Sequence, residues 1–198
     1  MFFTHIISDT HFSHEKIISL GERPFSSVQE MNETLIENWN CVVPKDGVVL
    51  HLGDFAHDSV PREEIREIRN RLNGDIFLTL GNHDILENLL WDGTFAMNKV
   101  RFWFREEDKD VHFSHLPLEP RLLYSGRISV HGHTHGPISI LDEELHKGSI
   151  SVNCELHDYT PVSHDELMLM INERREMIPS SWAVHLRESG SYPYANNA

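Results

Sequence analysis

Five short apolar runs in this chain each end in a cluster of Gly, Asp, Asn or His, and this repeated pairing constrains the fold more than any other feature. Residues 2–8 lead into Asp9-Thr10-His11, 48–52 into Gly53-Asp54, 76–80 into Gly81-Asn82-His83-Asp84, 111–114 into His115, and 128–131 into Gly132-His133-Thr134-His135. Each run has the length and apolar character of a β-strand. Loops at strand C-termini are where open α/β sheets collect their ligands. In an extended segment residues i and i+2 point to one side, so Asp9 with His11, and His133 with His135, can each reach a common centre. Gly53, Gly81 and Gly132 are expected to let the backbone turn tightly beside it.

Taken singly, a Gly-Asp or a Gly-Asn-His is an ordinary turn, and a lone His is usually a satisfied polar residue. Together, in this order and each after a strand, they form a set with a chemical meaning. Mixed imidazole, carboxylate and amide ligands without thiolate suit borderline divalent ions. Manganese is the first choice, with iron, nickel, cobalt or zinc compatible, and an all-oxygen calcium site is disfavoured.

The ordered pattern Asp9-x-His11, Gly53-Asp54, Gly81-Asn82-His83-Asp84, His115, Gly132-His133-x-His135 resembles that of the calcineurin-like metallophosphoesterases, over residues 9–135. The resemblance implies a β-sandwich of two packed, mixed sheets with helices on both outer faces, an α/β four-layer arrangement. It also implies two divalent cations, one held by Asp9, His11, Asp54 and His135, the other by Asp54, Asn82, His115 and His133, with Asp54 bridging. Cations about 3.5 to 4 Å apart share a hydroxide that attacks phosphorus in line, the pKa of its parent water falling from 15.7 toward roughly 7. No covalent protein nucleophile is then required.

His83 is assigned as the acid or orienting group for the leaving oxygen, with Asp84 as a partner that fixes its tautomer. His57 lies three residues after Asp54, where protein phosphatases of the family carry an aspartate and DNA-repair nucleases a histidine. That resemblance favours phosphodiester over phosphomonoester hydrolysis, against the plainer reading of His57 as a turn residue near Asp58. His14 and Arg23 are candidates for binding substrate phosphate, although a fringe His and an exposed loop Arg are the commoner cases. His5, His51 and His112, inside strand patterns, are expected to be structural.

Seventeen Lys and Arg against thirty-one Asp and Glu leave a formal charge of −14. That acidity opposes the phosphate-backbone attraction behind most nucleic-acid binding and favours a small phosphate ester, leaving a nuclease as the alternative. Arg62, Arg66, Arg69 and Arg71 are read as an ion-paired helix face with Glu63, Glu64 and Glu67. Two cysteines offer no disulfide framework, no apolar run is long enough to span a membrane, and the cytoplasm is the expected compartment. The pattern does not address oligomeric state.

At 198 residues the chain suits one domain, read as residues 1–178, followed by a tail or edge strand over 179–198. Ser27 and Glu30 predict a capping box opening a helix with Met31, Leu35, Ile36 and Trp39 on its apolar face. Further helices are expected over 61–72 and 165–171, the latter capped by Ser163, and extended segments near 95–104, 138–141 and 149–156. A metallo-β-lactamase reading of His131-x-His133-x-His135 fails because Gly136 and Pro137 follow where Asp-His is required. A non-catalytic scaffold of the same fold is the remaining competitor, and the complete ligand set with His83 argues against it.

Overall fold

The computed structural model describes residues 3–85, 96–97, 102–106, 109–123, 127–135 and 147–178. The first three apolar runs form the parallel strands β1 (His5–Ile7), β2 (Val48–His51) and β3 (Asp75–Leu78), and β4 (Ala96–Met97), in the segment expected to be extended near 95–104, adds a fourth. Parallel neighbours need crossovers. Helices α1 (Glu15–Leu20) and α2 (Val28–Val42) lie between β1 and β2, and α3 (Arg62–Arg71) between β2 and β3.

A second sheet holds β5 (Phe102–Glu106), β6 (Lys109–Ser114), β7 (Ile128–His131) and β8 (Ser149–Ser151), with α4 (Pro120–Leu123) between β6 and β7. Strand β9 (Val162–Ser163) returns to the first sheet and runs into α5 (His164–Met177). The spatial orders are β4-β3-β2-β1-β9 and β5-β6-β7-β8. Antiparallel β9 pairs with β1, and antiparallel β5 with β6, so both sheets are mixed, as expected.

Strand alternation sorts the core into two layers. Ile7, Val49, Ile76 and Leu78 pack with Met31, Leu35 and Trp39 of α2 and with Ile65 and Ile68 of α3. Their neighbours Ile6, Leu50 and Leu52 face the other way and meet Val111, Phe113, Ile128 and Val130 of the second sheet, joined by Leu167 and Ile171 of α5. The result is two packed sheets flanked by helices. Trp39 is buried in the core, as expected, and its indole nitrogen donates to the Asn73 carbonyl at 3.0 Å.

Several local expectations shift. The Ser27 hydroxyl accepts from the Glu30 amide, but the Glu30 carboxylate reaches Ser26, so the predicted box is only half closed. The reciprocal box forms instead at Ser163 and Glu166. Helix α1 was not predicted. The segment 149–156 is extended only through Ser151 and then coils into a 3-10 turn at Cys154–Leu156. Arg71 pairs with Glu33 of α2 rather than with the glutamates interleaved in its own helix. Arg69 donates to the Leu72 and Gly74 carbonyls. Residues 138–141 and the tail 179–198 lie outside the described residues. Among those described, no helix is long and apolar enough to cross a membrane.

Candidate metal centre

The clusters named from sequence follow the C-terminal ends of β1, β2, β3, β6 and β7, and hydrogen bonds stitch these ends into one floor. The Ser8 amide donates to Val152 at 3.0 Å and the Cys154 amide to Ser8 at 3.1 Å, joining the sheets. The Asp9 amide donates to Gly53, and the Gly132 amide to His115, each at 3.0 Å. Asp9, His11, Asp54 and His133 all adopt positive φ, between 48° and 67°. Non-glycine residues rarely do so, at a cost of order 1–3 kcal/mol each, and such strain gathers at functional sites.

The three glycines serve two different purposes. Gly53 has φ of 94°, open to residues without a Cβ, and makes the turn expected of it. Gly81 and Gly132 have ordinary φ and are needed for room. A Cβ on Gly81 would collide with the Asp54 carboxylate and amide, and one on Gly132 with Asp9 Oδ2 and Ser8 Oγ.

At the centre, hydrogen-bond acceptors converge. His115 Nδ1 lies 2.9 Å from the Leu52 carbonyl, which takes its proton and leaves a lone pair on Nε2. That Nε2 faces Asn82 Oδ1 at 3.0 Å and Asp54 Oδ2 at 3.5 Å. His11 Nε2, fully buried and without a hydrogen-bond partner, stands 3.4 Å from the same Asp54 oxygen. Burial, reinforced by Arg23 and neighbouring histidines, drives the His11 pKa far below the usual imidazole value, so the ring is neutral. His133 Nδ1 lies 2.9 Å from Asn82 Oδ1. The His115 Nε2 lone pair thus faces two oxygen acceptors, an arrangement that a cation resolves, and the donor set fits divalent metal.

Asp9, His11 and His135 offer ligand atoms within 4.8 Å of one another, as do Asp9, Asp54 and His115. Asp54 Oδ2 is within 3.5 Å of both His11 Nε2 and His115 Nε2, while Asp9 belongs to both groups. The Asp9 carboxylate also accepts the His133 amide at 3.0 Å. Burial raises the Asp9 pKa against the pull of nearby histidines, an environment in which a bound cation would favour the ionised form.

Around this centre the other candidates fall differently. The His57 ring stacks on His83, centroids 5.2 Å apart at 27°, and lies 4.0 Å from His14. The His83 ring meets His11 edge-on at 5.3 Å. His14, His57 and His83 thus form one wall of imidazoles, although His57 also has the turn contacts of the plainer reading, to Asp58 and Ser59 at 2.8 Å. Burial and the adjacent imidazoles lower the His14 pKa to about 4.

Two expectations change. The Asp84 carboxylate does not orient His83: it accepts the amides of Asp54, Gly81 and Phe55 at 2.7 to 3.0 Å, tying the β2 and β3 loops together. Burial pushes its pKa up to about 6 in spite of those donors. Arg23 is neither an exposed loop residue nor free to clamp phosphate. It is 4% exposed, and its guanidinium donates to the carbonyls of Asp9 and Thr10 and to Glu155.

Glu155 is the residue the sequence reading missed. It follows β8, as the named clusters follow their strands, and its Oε1 lies 2.9 Å from His135 Nδ1. Burial opposes the charge on His135, but the Glu155 hydrogen bond and the nearby carboxylates outweigh it and raise the pKa. Asn153, fully buried, donates to the Thr134 carbonyl of the same loop. A polar cluster after a strand was the usable signal, hidden by the lack of any His or Gly motif there. His5, His51 and His112 are buried strand residues, as expected.

A model of the calcineurin-like phosphoesterases matches residues 4–141. An uncharacterized protein of Methanocaldococcus jannaschii is 35% identical over 173 residues, spanning 85% of this chain and 91% of its own. The Gene 66 protein of Mycobacterium phage L5 is 28% identical over 210 residues, spanning 87% and 96%. A solved structure of a protein of unknown function from Aquifex aeolicus superposes with a TM-score of 0.67 at 26% identity, covering 85% of this chain and 99% of that one. With two mixed sheets, converging ligands and a matching family model, the chain belongs to the calcineurin-like phosphoesterase family.

Proposed function

We propose that the chain is a phosphodiesterase that hydrolyses a small phosphate ester in the cytoplasm with two divalent cations, manganese first among them. The observation that carries this reading is Asp54 Oδ2, set between His11 Nε2 at 3.4 Å and His115 Nε2 at 3.5 Å. One cation would be held by Asp9, His11, Asp54 and His135, the other by Asp54, Asn82, His115 and His133. When bound, the pair supplies an activated water and offsets phosphate charge.

The chain's own residues do the rest. His83, half-buried at the edge of the centre, protonates the leaving oxygen. His57 and His14 border it and hold the phosphate oxygens by hydrogen bonds. These extra donors are imidazoles, since Arg23 is engaged by the backbone of the β1 loop, and this suits a singly charged diester better than a doubly charged monoester. The formal charge of −14 supports a small ester over a long nucleic acid.

The test compares bis(4-nitrophenyl) phosphate with 4-nitrophenyl phosphate, using manganese-loaded protein and a chelated control. A chelator-sensitive preference for the diester is expected. His57→Ala should lower diester turnover by at least about tenfold and monoester turnover much less. Equal losses on both would remove His57 as the source of the preference.

A further inference from the structure

Beside the centre opens a cavity of about 520 Å³ that His83 does not line. Leu80, Leu116, Pro117, Leu118 and Leu122 form its apolar walls, and His112, Ser114 and Glu119 also line it. Asn82 and His115, proposed ligands of the second cation, form the edge it shares with the centre. The consecutive side chains of Asn82 and His83 therefore diverge. His83 meets His11, His14 and His57, while Asn82 meets His115 and His133 and borders the cavity.

From this geometry we infer that the cavity receives the non-leaving ester group of the substrate, and that this group is uncharged and apolar. The inference rests on the phosphoesterase reading, and three observations carry it. First, the volume lies within the roughly 300–1,000 Å³ typical of small-molecule sites, ample for a ring system or a short alkyl chain. Second, no Lys or Arg lines it among the described residues, and Glu119 does, so a second phosphate or other anion meets a carboxylate there and no lysine or arginine. Third, it is continuous with the centre through Asn82 and His115, whereas His83, the proposed acid, does not line it, so an ester group entering it would not be the one His83 protonates.

Leu116 is 56% exposed and Leu118 only 9%, so the apolar wall runs from the mouth inward. The loop that forms this wall is set by its own hydrogen bonds. The Ser114 hydroxyl donates to the Leu116 carbonyl at 2.6 Å, and the Leu118 amide donates to Ser129 Oγ at 3.0 Å. The wall is therefore built onto β6 and β7, the strands that also present His115 and His133.

The test is calorimetric titration of manganese-loaded protein with inorganic phosphate, methylphosphonate, phenylphosphonate and hexylphosphonate, which reads binding without turnover. Phenyl- or hexylphosphonate is expected to bind about tenfold or more tighter than methylphosphonate, from the added apolar burial. The tighter of the two identifies a ring or a chain as the natural group. The double variant Leu116→Gln, Leu122→Gln, checked for unchanged metal content and melting temperature, should cut that ratio at least about threefold. Equal affinities across the phosphonates overturn the inference and leave the phosphoesterase reading intact. Binding of none of them, phosphate included, overturns both.

Discussion

Glu155 Oε1 lies 2.9 Å from His135 Nδ1, and the same oxygen accepts from Arg23 Nε at 2.9 Å. One carboxylate thus holds a proposed metal ligand and the arginine whose guanidinium grips the Asp9 and Thr10 carbonyls. A proton on His135 Nδ1 directs the Nε2 lone pair toward Asp9, 3.9 Å away. Glu155→Ala should weaken binding of one divalent ion by 10- to 100-fold while leaving the other near its original affinity, as such outer partners generally do. Metal titration followed by calorimetry checks this; two unchanged affinities would return Glu155 to a purely structural part.

Metal loss and acid loss fail differently. Asp54→Ala should abolish occupancy of both positions, seen as metal content after gel filtration. His83→Ala should retain both ions and lose roughly 10²- to 10⁴-fold in turnover, the usual worth of a positioned acid. Full activity in the second variant would remove His83 from the proton transfer.

Gly132→Ala tests room rather than backbone freedom, because the residue has an ordinary φ and its missing Cβ is what admits the Asp9 carboxylate. Overpacking of this kind costs about 1–3 kcal/mol. The urea midpoint should fall accordingly, and metal affinity should fall with it as Asp9 is pushed aside. A variant with wild-type midpoint and affinity would mean that the two sheets part easily here.

His51 sets an acid limit on stability. It is fully buried, with its ring between Thr10 Oγ and the Gly53 amide, and burial lowers its pKa to about 3. The unfolded chain binds that proton near pH 6.5, so stability is complete above this value and falls progressively as pH drops toward 3. By pH 4 the loss from this group is about 3 kcal/mol. Urea unfolding across that range should show the slope, and His51→Gln, whatever its stability at pH 7, should flatten it.

Much of this protein was legible in its sequence, for a local reason. An apolar β-branched run followed by Gly-Asp, Gly-Asn-His or Gly-His-x-His declares both a strand and the polar cluster at its end, so the residues proposed as ligands from Asp9 to His135 could be named without coordinates, and the family resemblance they carry implied the mixed two-sheet fold. What the tertiary structure alone decided are relationships across long separations. Glu155 is 20 residues from His135 and 132 from Arg23. Only a polar cluster after a strand marks it locally, and its charge acquires meaning where β8 comes to lie beside β7 and the loop after β1. Arg23 reads as a surface loop residue until the chain after α1 folds it beneath the Asp9 turn, where desolvation selects carbonyl and carboxylate partners over solvent. The stacking of His14, His57 and His83, and the divergence of Asn82 from His83 that opens the leucine-lined cavity, likewise depend on packing between segments rather than on patterns within one.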